Sequence, residues 1–481
     1  MDEQDPICLN GIHGVTGEYL VEPLSWKEAA RIALGKPQHE GLRGWFGRIA
    51  ETVKTRFLGL PLDVDPTDIA RAGWAIVFPE NGDDAVRQAL QPLIDHRRTR
   101  VPPMHCKELD YRAGERMKDW LKRHQVGPGN ITPTKVPYYV LLVGEPTEIP
   151  FEFQYLLDIE YAVGRIAFDH PDDYRQYAQS LIDYEISGRA AAAEEVVYWG
   201  PRHTADRATQ MSADHLIAPL FQGLPAADKQ PALPAIAEEL GYRSRCFVKQ
   251  DGKKANLQEV LHGENGKAPT FLLTASHGMA WPQNDQRHYE AQGALLCQDW
   301  GGFGEVKSSD YLAADSVEED ARLHGLVAFM FACYGAGTPQ FDPYLKNRSQ
   351  GPSEIARRPF VAPLPKRLLA HPQGAALAVL GHVERAWGYS IKPPGVGAQL
   401  TPFRNFVGRV LQGEPVGHAT ADISQKYAIV SAHLLSLLDE AKEGQPPSDR
   451  ELAAAWIERN DAQNYIVLGD PAARIRVDHL E

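Results

Sequence analysis

Apolar residues follow two alternating patterns along the chain, short continuous runs and longer segments with helical spacing. Residues 74–78 (WAIVF) are a continuous apolar run before the turn 79–82 (PENG), as is typical of a strand buried on both faces. Asp84 then begins a segment whose apolar residues fall on one helical face, at Val86, Leu90, Leu93 and Ile94. Pro92 lies inside this predicted helix and weakens the prediction for its second half.

The same alternation continues along the chain and predicts an α/β fold. Further strands are predicted at 136–143, 162–168, 195–199, 245–248, 270–275, 326–332 and 375–380. Further helices are predicted at about 112–124, 171–187, 212–222 and 231–240. Strands separated by helices imply right-handed crossovers, so we expect a mostly parallel sheet with helices on both faces. In such folds ligands bind beyond the carboxyl ends of the strands.

Composition and charge exclude several classes of function. The 481 residues carry 50 basic and 63 acidic side chains, a formal net charge of −13, and no Lys/Arg-rich tract, so we expect no nucleic-acid partner. The first residues lack the features of a secretory signal, and no long apolar run is present. We therefore expect a soluble, cytoplasmic protein without a membrane partner. Neither CxxC nor HExxH occurs, so we expect no metal and no cofactor.

Two predicted strands end in reactive residues. The run 270–275 leads into Ser276, His277 and Gly278, and the run 326–332 leads into Cys333. Parallel strands place their carboxyl ends at one sheet edge, so we expect the imidazole and the thiol to meet there. Such a pair can act as acid/base and nucleophile, and the glycines after both residues allow a substrate backbone to approach.

Other cysteines and histidines lack this context. An isolated cysteine after an apolar strand is usually a small core residue, and an isolated histidine before glycine is usually a turn residue. The order of the two strand-end motifs is what favours chemistry at His277 and Cys333. We expect purely structural or solvent-facing roles for Cys8, Cys106, Cys246, Cys297, His262, His288, His371 and His382. Five widely spaced cysteines also fit reduced thiols better than disulfides.

The paired His-Gly and Ala-Cys motifs resemble those of caspases, separases, legumains and CHAT-domain proteases. Several further blocks resemble one family among these caspase-like cysteine peptidases, the gingipains. They are 138–150 (YYVLLVGEPTEIP), 158–161 (DIEY), 163–165 (VGR), 183–185 (DYE), 378–381 (AVLG) with 386–387 (AW), and 464–474 (NYIVLGDPAAR). The resemblance covers roughly residues 70–481.

The resemblance implies a caspase-like α/β/α sandwich with two gingipain-like subdomains. On this basis we divide the chain into an accessory N-terminal segment (1–70) in which we identify no chemistry, an N-terminal subdomain (71–190) and a catalytic subdomain (191–481). The stretch 338–366 is rich in Pro, Arg and Gly and is predicted to be an insertion, open to movement or cleavage.

The resemblance also implies a cysteine endopeptidase with a His277–Cys333 dyad and a thioester intermediate. The N–H groups of Gly278 and Cys333 would stabilise the oxyanion, and Trp387 would form a wall of the S1 pocket. We expect Cys333 to be partly exposed, because exposure favours the thiolate. The acidic residue that orients the histidine in the family has no counterpart in the loop 199–203 (WGPRH), so the third member stays unassigned.

Substrate choice and regulation stay open in the sequence. Asp206, Asp214 and Glu384 are candidates for an acidic pocket floor that would select Arg or Lys, although each is more typical of a solvated surface residue than of a specificity determinant. Two alternatives to a peptidase are a catalytically silent scaffold and another thiol acyl-transfer enzyme. Besides a protein or peptide substrate, an activating partner or ligand is expected, since an intracellular protease needs restraint. The segment before residue 70, the stretch between His277 and Cys333, and 338–366 are candidates for that restraint.

Overall fold

A computed structural model describes residues 7, 10–35, 60–187, 192–226, 232–347, 351–388, 391–393 and 397–477. Its strands, numbered in chain order, are β1 (Ile12–His13), β2 (Trp74–Pro79), β3 (Cys106–Tyr111), β4 (Tyr139–Val143), β5 (Ala162–Ile166), β6 (Ala193–Gly200), β7 (Arg243–Val248), β8 (Pro269–Ala275), β9 (Met279–Ala280), β10 (Leu295–Leu296), β11 (Tyr311–Leu312), β12 (Val327–Phe331), β13 (Gly337–Thr338), β14 (Phe341–Asn347), β15 (Gly351–Glu354), β16 (Phe360–Val361), β17 (Ala378–His382) and β18 (Tyr465–Gly469).

Ten strands form one sheet in the order β3-β2-β4-β5-β18-β17-β12-β8-β6-β7. Neighbouring strands are parallel except for β17 and β18, which run antiparallel. This confirms the predicted α/β class with a mostly parallel sheet. The sheet joins strands from both predicted subdomains, and the boundary near residue 190 stays a prediction.

Helices connect the strands and pack against the sheet. The α-helices are Trp26–Gly35, Ile69–Ala72, Asp84–Arg100, Met117–Arg123, Phe151–Leu157, Pro171–Ile186, Arg207–Ser212, Ala218–Gln222, Ile236–Glu239, Lys254–His262, Arg287–Glu290, Pro363–Leu369, Thr401–Leu411, Val416–Ala419, Ala421–Lys442 and Asp449–Gln463. A π-helical turn, Ala213–Ile217, joins Arg207–Ser212 to Ala218–Gln222. None of the helices in the described part of the chain is long and apolar enough to cross a membrane.

The central strands are apolar because both of their faces are covered. All residues of β4, β5, β8, β12, β17 and β18 are buried. The edge strand β3 (CKELDY) was not predicted, since its charged residues face solvent and break the apolar pattern. The helix at Asp84 continues to Arg100 with Pro92 inside it, so the expected weakening of its second half was wrong.

A buried ion cluster joins two helices from the first half of the chain to the residue that follows β18. Arg97 donates to Glu185 at 2.7 Å and to Asp470 at 2.9 Å, and all three side chains are nearly inaccessible. Trp74 Nε1 also donates to Asp470 at 3.1 Å. Because each charge is paired, the helices Asp84–Arg100 and Pro171–Ile186 are fixed to the end of β18.

The stretch 338–366 is more structured than its composition predicts. It contains the antiparallel pair β14 and β15, as well as β16, which pairs with β13. The helix Pro363–Leu369 begins within it. The described parts of this stretch therefore form regular secondary structure.

Candidate active site

The carboxyl ends of β8 and β12 lie side by side. These strands pair in parallel, with Ala275 opposite Phe331. His277 and Cys333 each follow two residues after this last matched pair, which confirms that the two motifs meet at one sheet edge. Tyr334 has a φ of 56° and its N–H donates to Glu384 O at 2.9 Å, so the chain turns sharply directly after the thiol.

An acidic residue holds His277. The imidazole Nε2 lies 2.7 Å from Asp206 Oδ2, and both side chains are buried. Asp206 is the N-cap of the helix Arg207–Ser212 and accepts from the N–H groups of Ala208 and Thr209. Burial opposes ionisation, but the neighbouring His277 and its hydrogen bond lower the pKa of Asp206, so the carboxylate is charged.

The role of Asp206 corrects the sequence analysis. It was a candidate for the pocket floor, but its oxygens are occupied by His277, Thr209 and the Tyr19 hydroxyl. It is the orienting acid left unassigned, and it lies just beyond the loop 199–203. The signal was present: an Asp at a helix start, after a strand, is a typical N-cap. What was missing was the order of the sheet, which places β6 beside β8.

The other ring nitrogen of His277 faces the N-terminal segment. Gly11 N–H donates to His277 Nδ1 at 2.8 Å, so Nδ1 is an acceptor. The ring proton is therefore on Nε2, which donates a hydrogen bond to Asp206. Tyr19 packs edge-on against the imidazole, with ring centroids 5.5 Å apart. Gly11 and Tyr19 of the N-terminal segment therefore contact the candidate site, which the sequence analysis did not predict.

Cys333 is fully buried, which corrects the expectation of a partly exposed thiol. Its Sγ accepts a hydrogen bond from Ala386 N–H at 3.2 Å. A Cβ built on Gly11 would lie 3.3 Å from Sγ, so the backbone at Gly11 contacts both His277 and Cys333. Burial raises the pKa of the Cys333 thiol to about 12, which favours the neutral thiol over the thiolate.

Gly278 lies against the backbone of Cys333. A Cβ at Gly278 would be 1.7 Å from Cys333 O, so any larger residue would move one of the two chains. This close approach keeps the N–H groups of residues 278 and 333 near each other. Their role as oxyanion donors stays a prediction.

Trp387 and the two remaining acidic candidates all have partners. Trp387 is buried, its N–H donates to Asp461 Oδ1 at 2.7 Å, and its ring meets Trp456 edge-on. Asp214 forms a partly exposed ion pair with Arg202. Glu384 and Asp342 both pair with the buried Arg385.

These pairings correct the hypothesis of an acidic pocket floor made by Asp206, Asp214 and Glu384. Each carboxylate is already matched by a cation or by several hydrogen bonds. A substrate arginine would therefore have to compete with these partners. The part of the chain that the structure describes holds one group of side chains placed to bind a metal, His262, Glu318 and Asp320, outside this site.

The backbone arrangement is similar to that of solved cysteine proteinases. Gingipain R, an Arg-specific cysteine proteinase, matches with a TM-score of 0.48 and 12% identity, covering 86% of this chain and 80% of the gingipain chain. A complex of Porphyromonas gingivalis RgpB pro- and mature domains matches with a TM-score of 0.43 and 12% identity over 84% and 80%. The Saccharomyces cerevisiae separase–securin complex matches with a TM-score of 0.31 and 10% identity over 69% of this chain and 15% of that chain.

With TM-scores below 0.5, these similarities say nothing about which residues act in this chain. No protein-family model matches the sequence. No curated protein matches it either.

Proposed function

We propose that this chain is a caspase-like cysteine endopeptidase in which Cys333 is the nucleophile and His277 the acid/base. The observation that carries this proposal is the hydrogen bond between Asp206 and His277 Nε2, which leaves Nδ1 on the side of the ring where Gly11 contacts Cys333. A carboxylate on one ring nitrogen fixes the tautomer in which the other nitrogen can accept a proton from a nucleophile.

The reaction follows from these positions. His277 Nδ1 takes the Cys333 proton, and the thiolate attacks the carbonyl carbon of the substrate peptide. The N–H groups of Gly278 and Cys333 would stabilise the oxyanion. His277 returns the proton to the leaving amine as the C–N bond breaks, and water then hydrolyses the thioester, again with His277 as the base.

The surface beside His277 and Cys333 favours an extended peptide as the substrate. Three backbone carbonyls along it, those of Ala386, Gly278 and Ala280, accept N–H groups from the N-terminal segment, and we call the path along these carbonyls the groove. Such groups bind a main chain independently of its side chains. A protein or peptide substrate fits this pattern better than a small acyl donor does. Action inside the cell stays an expectation from the sequence.

The test is cleavage of a denatured protein and of a quenched peptide library by purified wild type, Cys333→Ala and His277→Ala. Each is assayed both intact and after proteolytic removal of residues 1–35, because Gly11 contacts both His277 and Cys333 in the intact chain. Cys297→Ala is the matched control, because Cys297 is equally buried and lies outside the groove. We expect each dyad variant to lose more than about a hundredfold in rate. Melting temperatures would show that each variant is folded. Equal cleavage by Cys333→Ala would overturn the proposal, and acyl transfer without peptide cleavage would indicate another thiol enzyme.

A further inference from the structure

The segment before the first helix crosses the groove at the catalytic residues. We define the N-terminal hairpin as residues 10–24. Its two arms are joined by bonds from His13 N–H to Glu18 O at 2.8 Å and from Leu20 N–H to Gly11 O at 3.1 Å. Ile12 pairs with Tyr19 between them. The first arm lies in the groove and the second arm lies next to it.

The first arm runs along the groove as an extended peptide would. Asn10 N–H donates to Ala386 O at 3.3 Å, on one side of Cys333. On the other side Ile12 N–H donates to Gly278 O at 3.3 Å, and β1 pairs in parallel with β9. Gly11 N lies between these contacts, 2.8 Å from His277 Nδ1, where a leaving amine would receive its proton.

Asn10 directly precedes the Gly11 nitrogen that contacts His277 Nδ1, so it corresponds in sequence to the residue before a leaving amine. Its side chain is only 2% exposed, and its Oδ1 lacks a hydrogen-bond partner among the described residues. Gly11 has a φ of +109°, a conformation that favours glycine. The arm therefore follows the substrate path but passes the thiol in a conformation that few sequences could adopt.

The hairpin is anchored on both sides of the groove. Its turn rests on the loop at Gly304, since a Cβ on Gly17 would lie 1.8 Å from Gly304 O. The following helix, Trp26–Gly35, buries Ala29, Ala30 and Ala33 in one apolar cluster with Trp387 and the helix Asp449–Gln463. A segment held at both ends blocks the groove even though each single contact is weak.

We propose that the N-terminal hairpin is an internal inhibitor that fills the substrate groove, with Asn10 in the S1 position and the Gly11 nitrogen in the position of the leaving amine. This rests on the proposed function. While the hairpin is bound, Gly11 occupies the lone pair of His277 Nδ1 and covers Cys333, so neither the base nor the nucleophile is free. Activation requires the hairpin to leave the groove.

The first experiment opens the hairpin with Gly17→Val and measures alkylation of Cys333 by iodoacetamide, with site-resolved mass spectrometry. A Cβ on Gly17, which has a φ of +71°, would meet Gly304, whereas a Cβ on Gly114, which has a φ of +77°, would meet no described residue within 4 Å. Gly114→Val is therefore the matched control for backbone strain. We expect the alkylation rate of Cys333 to rise about tenfold or more in Gly17→Val only. Cys297 is the internal control, because it is as buried as Cys333 and its Sγ donates to Leu295 O and not to a residue of the hairpin.

A second experiment gives a result even if Gly17→Val does not fold. A recognition sequence for a site-specific protease, placed after Gly35, allows residues 1–35 to be cut away from the folded chain. We expect faster alkylation of Cys333 and at least about tenfold faster peptide cleavage after removal. Adding back a synthetic peptide of residues 1–35 should reverse both effects.

The two readouts separate the inference from the function on which it rests. Unchanged alkylation of Cys333 after removal of residues 1–35 would overturn the inhibitor. Faster alkylation without any peptide cleavage would support the hairpin as the cover of Cys333 and would overturn the proposed peptidase activity instead. An add-back peptide with Asn10→Arg that inhibits as well as the natural one would overturn the placement of Asn10 in S1.

Discussion

Asp206 and His277 are 71 residues apart in the chain, yet their side chains lie 2.7 Å apart under the carboxyl end of the sheet. The distance is set by β6 and β8, which are neighbours in the sheet and deliver the two residues from adjacent strand ends. The helix N-cap at Asp206 fixes the carboxylate before it meets the imidazole. Orientation of the ring is thus provided by rigid elements and not by a loop.

Asp206→Asn should lower kcat by about 10²–10⁴-fold with KM little changed, because the amide can hold the imidazole in the wrong tautomer. The measurement is steady-state kinetics on a peptide substrate with residues 1–35 removed. Asp214→Asn is the control, since Asp214 pairs with Arg202 near the surface. Equal losses in kcat for both variants, or a raised KM alone, would show that Asp206 does not act through His277.

Gly278→Ala should reduce the rate by about 10²-fold or more, because the added methyl overlaps Cys333 O and displaces the thiol and the two N–H groups beside it. Gly408→Ala is a matched control inside a helix, where the new Cβ would meet its nearest neighbour at an ordinary 3.4 Å. Melting temperatures are measured for both variants, and kinetics are measured for both with residues 1–35 removed. A fully active Gly278→Ala enzyme would contradict the close approach.

How far the sequence predicts this site depends on which contacts are local. The meeting of His277 and Cys333 follows from two apolar strands with parallel direction, a rule that needs no knowledge of the rest of the sheet. The role of Asp206 needs the strand order, which no local pattern contains. To predict the position of the hairpin requires still more knowledge of the fold, because its strand β1 has only two residues and pairs with β9, far along the chain.

The burial of Cys333 illustrates the same limit. The sequence analysis predicted a partly exposed thiol at the strand end because exposure favours the thiolate. Here Gly11 and Ala386 cover it from two distant parts of the chain. The predicted class of fold survives such errors, since it depends only on the alternation of strands and helices.

The S1 position should prefer a short uncharged side chain such as Asn over Arg. Asn10 is buried there without an ion pair among the described residues, and Asp214 and Glu384 are already paired with arginines. Peptides that differ only in the residue before the scissile bond, Asn, Arg or Asp, measure this preference with residues 1–35 removed. We expect kcat/KM for Asn to exceed that for Arg by about tenfold or more. A preference for Arg would contradict the path assigned to the hairpin.

Arg97→Met should lower the free energy of unfolding by about 3–5 kcal/mol, because Glu185 and Asp470 would be left buried without their common cation. Arg98→Met is the control on the same helix, since Arg98 pairs with Asp95 and Glu108 at the surface and such pairs contribute about 0–1 kcal/mol. Urea unfolding of the two variants measures the difference. Similar losses would show that the buried cluster contributes no more than a surface pair.

His418 should make the protein less stable as the pH falls from neutral towards 4. Burial, followed by the charge of Arg409, lowers the pKa of His418 to about 4, and Tyr138 OH lies 2.9 Å from its Nδ1. An unfolded histidine has a pKa of about 6.5, so between these values the unfolded chain binds a proton that the folded chain refuses. The contribution of neutral His418 to the free energy of unfolding is therefore fully present above about pH 6.5. It is lost progressively below that pH, by about 3 kcal/mol at pH 4.

His418→Gln should flatten this part of the curve of unfolding free energy against pH, measured by urea unfolding. His433→Gln, at an exposed position of the helix Ala421–Lys442, should leave the slope of the curve unchanged. The same slope in both variants would mean that other groups carry the acid sensitivity.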